Sequence, residues 1–373
     1  MSAAPSTDPY LAWLLAETPT QWWHDSADPV ELEQALAHGA SGVTTNPILS
    51  AQALRAAPDF WRERLTARGT PPANPNPTLP NGSAPLERGK PTPLPSQAEE
   101  RAISLAQMVV VTAAARLEAT HRASHGAQGY VCAQVNPNRA ADRAAMAAQA
   151  RRFHTWAPNI AVKLPVTAAG LDVLEDCIAA GITVTATVSF TVPQVLAVAE
   201  RHRRGAQRAQ QAGIAAGRCF AVIMIGRLDD YLREIAADRK AGLSEADIRC
   251  AGLAVTKRAY ALYQERQYEA VLLVAALRGV YHAAELAGAN LILSIHPKYQ
   301  PPLLAADLPK QTRIDSPLDA QAIERLRALP DFPRAYEPDG MQPEEFSAFG
   351  LTQRTLAQFS EGGWAHLESF AEK

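Results

Sequence analysis

The chain has 373 residues, 47% of them hydrophobic, with 36 basic against 38 acidic side chains. That near-neutral balance argues against nucleic acid or an anionic membrane as a partner, and the length suits one large or two medium domains. Residues 1–13 lack a basic stretch followed by an apolar core, so no secretory leader is expected. No apolar run reaches the roughly 18 residues of a bilayer span. Cys132, Cys177, Cys219 and Cys250 lie far apart without metal-ligand spacing and read as free thiols of a reducing cytoplasm.

Short β-branched runs alternate with longer Ala-rich amphipathic stretches. Eight runs predict strands, at 21–24, 42–45, 129–135, 159–164, 182–188, 219–225, 270–277 and 291–295. Helical patterns separate most of them, as at 171–180, 192–203 and 244–266. Near-continuous apolar strands between helices indicate a parallel sheet covered on both faces. Eight such units suggest a single α/β domain over 1–373, a (β/α)8 TIM barrel. An open doubly wound sheet is the alternative, although no G-x-G-x-x-G follows the first strand. Between Gly69 and Ser96 stand nine prolines, a composition that cannot pack a core, so 69–96 reads as an insertion loop between barrel units two and three. After Pro297 no strand pattern remains. Helices near 320–328 and 351–372 are expected to wrap the barrel or cover one end.

One residue breaks the apolar pattern. Lys163 sits inside Asn159-Ile160-Ala161-Val162-Lys163-Leu164-Pro165, where every neighbour is apolar or ends a strand. A lysine is rarely buried without a partner or a task. Desolvation disfavours the ammonium, and a neutral amine can form a Schiff base with a carbonyl substrate. Two bland alternatives stand beside this: a carboxylate partner, or a side chain snorkelling to solvent.

In a barrel the chemistry collects at the C-terminal ends of strands. Those positions hold Asp25, Thr44, Thr45, Asn46, Gln134, Asn136, Lys163, Thr185, Thr187, Ser189, Arg227, Arg278 and His296. Each has an ordinary explanation taken singly. Asp25 could cap a helix, Asn46 before Pro47 could be a turn, and Arg227 could pair with Asp229 or Asp230 at the surface. Jointly they have a chemical meaning. Lys163 activates a ketone, Asp25 moves protons during C–C cleavage, and Thr187, Gln134 and Asn46 hold a water and substrate hydroxyls. Two arginines at adjacent strand ends grip a phosphate. This describes a sugar-phosphate aldol enzyme that needs no metal and no cofactor.

The segments Asp25-Ser26-Ala27-Asp28, Gly42-Val43-Thr44-Thr45-Asn46-Pro47, Asn159 to Leu171, Gly226-Arg227-Leu228-Asp229-Asp230 and Ala275-Ala276-Leu277-Arg278 together resemble the transaldolases, in that family's order. The resemblance implies a barrel with Lys163 as covalent nucleophile and Asp25 as acid/base. It also implies that Asn46 binds the dihydroxyacetone unit, Thr187 positions a water, and Arg227 and Arg278 bind the sugar phosphate. Thr45 and Thr185 join the substrate-binding set. Gln134 replaces a glutamate usual in transaldolases and is similar to the related fructose-6-phosphate aldolases. Asn136 replaces an aspartate, Thr185 an asparagine, and Met224 an aromatic residue. An amide cannot exchange protons as a carboxylate does. The expected function is therefore transaldolase-like transfer, with dihydroxyacetone-releasing aldolase activity or a silent sugar-phosphate-binding barrel as alternatives. The resemblance is compatible with a homo-oligomer and leaves its size open, since members of that family range from dimers to larger rings.

Overall fold

Eight parallel strands pair in sequence order, and the eighth returns to the first to close a barrel. The structure is a computed structural model that describes residues 9–68, 95–305 and 308–370. The strands are β1 (Gln21–His24), β2 (Gly42–Val43), β3 (Tyr130–Gln134), β4 (Ile160–Pro165), β5 (Val184–Thr187), β6 (Cys219–Met224), β7 (Val271–Ala275) and β8 (Ile292–Ile295). Closure runs from Gln21↔Ile292 to His24↔Ile295, which removes the open-sheet alternative. β3 to β6 are buried along their whole length, as strands must be when helices cover one face and the barrel interior fills the other.

β2 is shorter than the run that predicts it, because the chain leaves the sheet to enter a helix. Asn46 caps Pro47–Ala56 by accepting from Ile48 N at 2.9 Å and Leu49 N at 3.0 Å. Other helices begin the same way. Asp28 caps Pro29–Ala37, Thr167 caps Ala168–Ala179, and Thr191 caps Val192–Gln211. Each such cap contributes about 1 kcal/mol. Glu175 ties two of these helices together by meeting Arg201, Arg204 and Arg208 at 3.1–3.2 Å.

The insertion expected at 69–96 lies outside the described residues except for Pro95 and Ser96. Ser96 caps the longest helix, Gln97–Ala123, whose first turn carries Glu99 and Glu100 and whose last carries His121 and Arg122, the polarity the helix dipole favours. This helix corrects the expectation about apolar runs. An 18-residue window in it reaches a mean hydropathy of 1.4, enough by length and composition to cross a membrane. In the fold its apolar face, including Ile103, Val109, Val110 and Leu117, is buried.

The helix expected at 351–372 is interrupted. Gly350–Phe359 is followed by a wider, π-type turn at Ser360–Trp364 and then Ala365–Glu368. Packing explains the break: a Cβ on Gly363 would lie 2.5 Å from Ile48 N. This C-terminal segment thereby sits on the helix that Asn46 starts, beside the C-terminal mouth of the barrel.

Candidate active site

Aromatic rings plug the N-terminal end of the barrel. Trp23 meets Phe220 edge-on at 4.7 Å between centroids, and Tyr130 meets the same ring at 5.4 Å. Gly42 makes the space, since a Cβ there would stand 2.5 Å from Trp23 Cε2. Side chains two and four positions further along the strands share this inner face and line the barrel interior between the plug and the C-terminal ends.

Lys163 belongs to this inner face. Gln134 on β3 and Thr185 on β5 are its register neighbours, and it is 5% exposed. Its Nζ donates to the Thr45 carbonyl at 3.0 Å, and it forms no ion pair among the described residues. Burial holds the amine below the ordinary lysine value, opposed by Cys132 and Asp25. Neither snorkelling nor a carboxylate partner accounts for this side chain.

Asp25 follows β1, and its backbone N–H donates to Ile295 O at 3.1 Å. Asp28, not Asp25, caps the following helix. Thr44 Oγ1 donates to Asp25 Oδ1 at 2.8 Å and lies 2.5 Å from Ser294 Oγ. A threonine hydroxyl has one proton to give, so Ser294 donates to Thr44 and the hydroxyls form a chain ending on the carboxylate. Burial raises the Asp25 carboxyl above its usual range, while the Thr44 bond and the Lys163 charge pull it back. Amine and carboxyl are both biased toward their neutral forms. Thr44 and Ser294 carry no sequence signal for these roles, because small hydroxyls in strands are unremarkable.

Three buried polar atoms at or just past the ends of β3 and β5, Gln134 Oε1, Thr187 Oγ1 and Ser189 Oγ, have no hydrogen-bond partner among the described residues. Between the last two, Val188 has φ 56°, a region that β-branched residues rarely adopt. Gln194 Nε2 holds its carbonyl at 3.1 Å. Thr185 Oγ1 is 3.3 Å from Cys132 Sγ. Thr45 is engaged by the scaffold: its hydroxyl donates to Cys132 O at 2.7 Å while its carbonyl receives Lys163. Asn46 spends its Oδ1 on the helix cap, and its Nδ2 makes no hydrogen bond among the described residues. Asn136 turns away, donating to buried Glu99 at 2.8 Å.

Arg227 and Arg278 follow the paired strands β6 and β7. Burial and the neighbouring Arg278 charge bring Arg227 down to about 10. Asp230 binds Arg278 Nε at 2.7 Å and Arg233 at 2.7 Å, leaving Arg227 aside. Asp229 is fully buried, receiving His282 Nε2 at 3.0 Å and Gly252 N at 2.8 Å. His282 Nδ1 in turn accepts the Arg278 backbone N–H at 3.2 Å. A surface pair between Arg227 and either aspartate is therefore ruled out. Gly226 lets the Arg278 stem pass, since a Cβ there would lie 2.4 Å from Arg278 Cγ. His296, for which the sequence suggests no role, accepts the Lys298 N–H at 3.2 Å.

A closed (β/α)8 barrel thus brings a buried lysine on β4 with no ion pair among the described residues, a carboxyl after β1 and two arginines after β6 and β7 to its C-terminal end. The chain belongs to the transaldolase/fructose-6-phosphate aldolase family, whose model matches residues 22–334. A transaldolase of Neisseria gonorrhoeae is 26% identical over 92% of this chain and 91% of its own length. A transaldolase of Neisseria meningitidis serogroup A shows the same identity and coverage. Transaldolase 1 of Streptomyces coelicolor is 35% identical over 33% of each chain.

Proposed function

We propose that this protein transfers a three-carbon dihydroxyacetone unit between sugar phosphates through a Schiff base on Lys163. The observation that carries the reading is the Lys163 amine, buried, without an ion-pair partner and held toward its neutral form. Neutral amine adds to the ketone carbon of a ketose phosphate, and loss of water gives the imine. Asp25 takes the proton of the hydroxyl next to the bond being cut. That C–C bond breaks, the aldose phosphate leaves, and its electron pair stays on the lysine-bound fragment as an enamine. Addition of the enamine to another aldose and hydrolysis of the imine complete the cycle. Thr187, Ser189 and Gln134 offer polar groups for substrate hydroxyls and the water, Asn46 offers its Nδ2, and Thr45 and Thr185 hold the lysine's surroundings. Arg227, in the first turn of helix Ile225–Asp238, and Arg278 supply positive charge where the helix N-terminus also favours a phosphate.

Gln134 favours a second reading, release of free dihydroxyacetone, because an amide cannot relay a proton to the acceptor step. Borohydride trapping with fructose 6-phosphate, followed by peptide mapping, tests the first step. A three-carbon adduct on Lys163 that vanishes in Lys163→Ala is expected; no adduct overturns the proposal. Free dihydroxyacetone accumulating without an acceptor aldose would assign the lyase reaction instead. The four unpaired cysteines support a cytoplasmic location.

A further inference from the structure

Helix Gly350–Phe359 lies beyond the segment that matches the family model, which ends at residue 334, and it reaches the phosphate rim of the site. Its seat is well defined. Phe349 packs edge-on against Tyr231 at 5.7 Å, Arg354 pairs with Glu234, and Gly350 leaves room for the Tyr231 hydroxyl 2.6 Å from where a Cβ would stand. From this seat Gln358 Oε1 accepts from Arg227 Nη1, and the Phe359 ring lies 5.4 Å from the Arg227 guanidinium carbon.

Among the described residues Gln358 is the one hydrogen-bond partner of Arg227, and no carboxylate pairs with it at ion-pair distance, Asp230 and Asp25 acting on it only through their charge. The nearby acids are committed elsewhere: Asp230 to Arg278 and Arg233, Asp229 to His282. A neutral amide fixes the direction of a guanidinium without neutralising it, whereas a carboxylate would compete with an incoming phosphate. We propose that Gln358 is a positioning residue that aims Arg227 at the phosphate of the sugar substrate, so that the C-terminal helix sets the preference for phosphorylated sugars. This rests on the transaldolase-type reading of the site and adds a residue to it.

The test compares wild type, Gln358→Leu and Gln358→Glu. Gln358 is exposed, so neither change threatens folding. KM for fructose 6-phosphate is expected to rise roughly tenfold in Gln358→Leu, the scale of a hydrogen bond to a charged group, and further in Gln358→Glu, with kcat little changed. Borohydride trapping of dihydroxyacetone, which has no phosphate, serves as the second readout and is expected to be equal in all three proteins. Unchanged KM for the phosphorylated sugar in both variants would overturn the role of Gln358 alone. Equal loss with and without a phosphate would overturn it too, as general damage. No adduct on Lys163 in the wild-type protein would instead overturn the underlying reading of the site.

Discussion

Lys163 Nζ donates to the Thr45 carbonyl at 3.0 Å and to no carboxylate. A carbonyl orients an amine without stabilising its charge as an anion would. The buried amine is therefore aimed and kept easy to deprotonate, which is what Schiff-base formation requires.

Lys163→Met is expected to abolish turnover without destabilising the fold. Burial lowers the lysine's folded pKa, so the ammonium costs stability in full below that folded value. The cost fades as pH rises toward the unfolded value of about 10.4. Desolvating one charge costs several kcal/mol, more than the roughly 1 kcal/mol of the lost bond to Thr45. At pH 7 the variant should melt at or above the wild-type temperature, with the difference shrinking as pH rises toward ~10 and gone above it. A clear drop in melting temperature at pH 7 would contradict this account. In the wild-type protein kcat/KM should rise with pH as Lys163 deprotonates.

Thr44→Val removes the hydroxyl that donates to Asp25. That bond favours the carboxylate against the burial that raises its pKa. Without it the Asp25 carboxyl titrates at higher pH, and the limb of the pH–rate profile that reports its ionisation should move to the alkaline side. Turnover at pH 7 should fall about tenfold, the scale of one hydrogen bond to a charged group. An unmoved pH profile would mean that Thr44 is only packing.

Gly42→Ala should destabilise the barrel by about 1–3 kcal/mol, the usual cost of overpacking a core. The new Cβ would meet three Trp23 ring atoms at 2.5–2.7 Å, and Trp23 cannot retreat because Phe220 backs it. Urea unfolding measures the loss. Wild-type stability would show that the ring plug is loosely packed.

Asp247→Asn tests a pH effect away from the site. The bond from Arg325 leads in holding the Asp247 carboxyl down at about 2, aided by the Ser244 backbone and hydroxyl and opposed by burial. A depressed carboxyl contributes stability above its unfolded value of about 3.9 and loses it as pH falls toward the folded value. The variant should be less stable than wild type at pH 7, with the two converging as pH falls from about 4 toward 2. A gap independent of pH would rule out the ion pair as its source.

Much of this site is legible in the chain because a parallel barrel obeys local rules. Eight apolar runs separated by helices lead to eight strands, and C-terminal strand ends then gather Asp25, Asn46, Gln134, Lys163, Thr185, Thr187, Arg227 and Arg278 by topology alone. Asn46 before Pro47 reads as a turn in the chain, and in the fold it is the start of the helix that Asn46 caps. A lysine flanked by Val162 and Leu164 can be read as buried before any coordinates exist.

Tertiary structure decided which neighbours these side chains meet, since hydrogen-bond partners across a barrel depend on register and closure rather than on spacing. Thr44 reaches Ser294 across 250 residues, and Arg227 reaches Gln358 across 131. Asp229 and Asp230 look alike beside Arg227 in the chain, yet one is buried under His282 and the other holds Arg278. The periodicity of one helix turn cannot separate these two fates. The sequence by itself determined the barrel, the lysine and its class of chemistry, because burial and strand order follow from local pattern. The protonation bias of Lys163 and Asp25, and the bond from Arg227 to Gln358, come from contacts between residues that only the closed fold brings together.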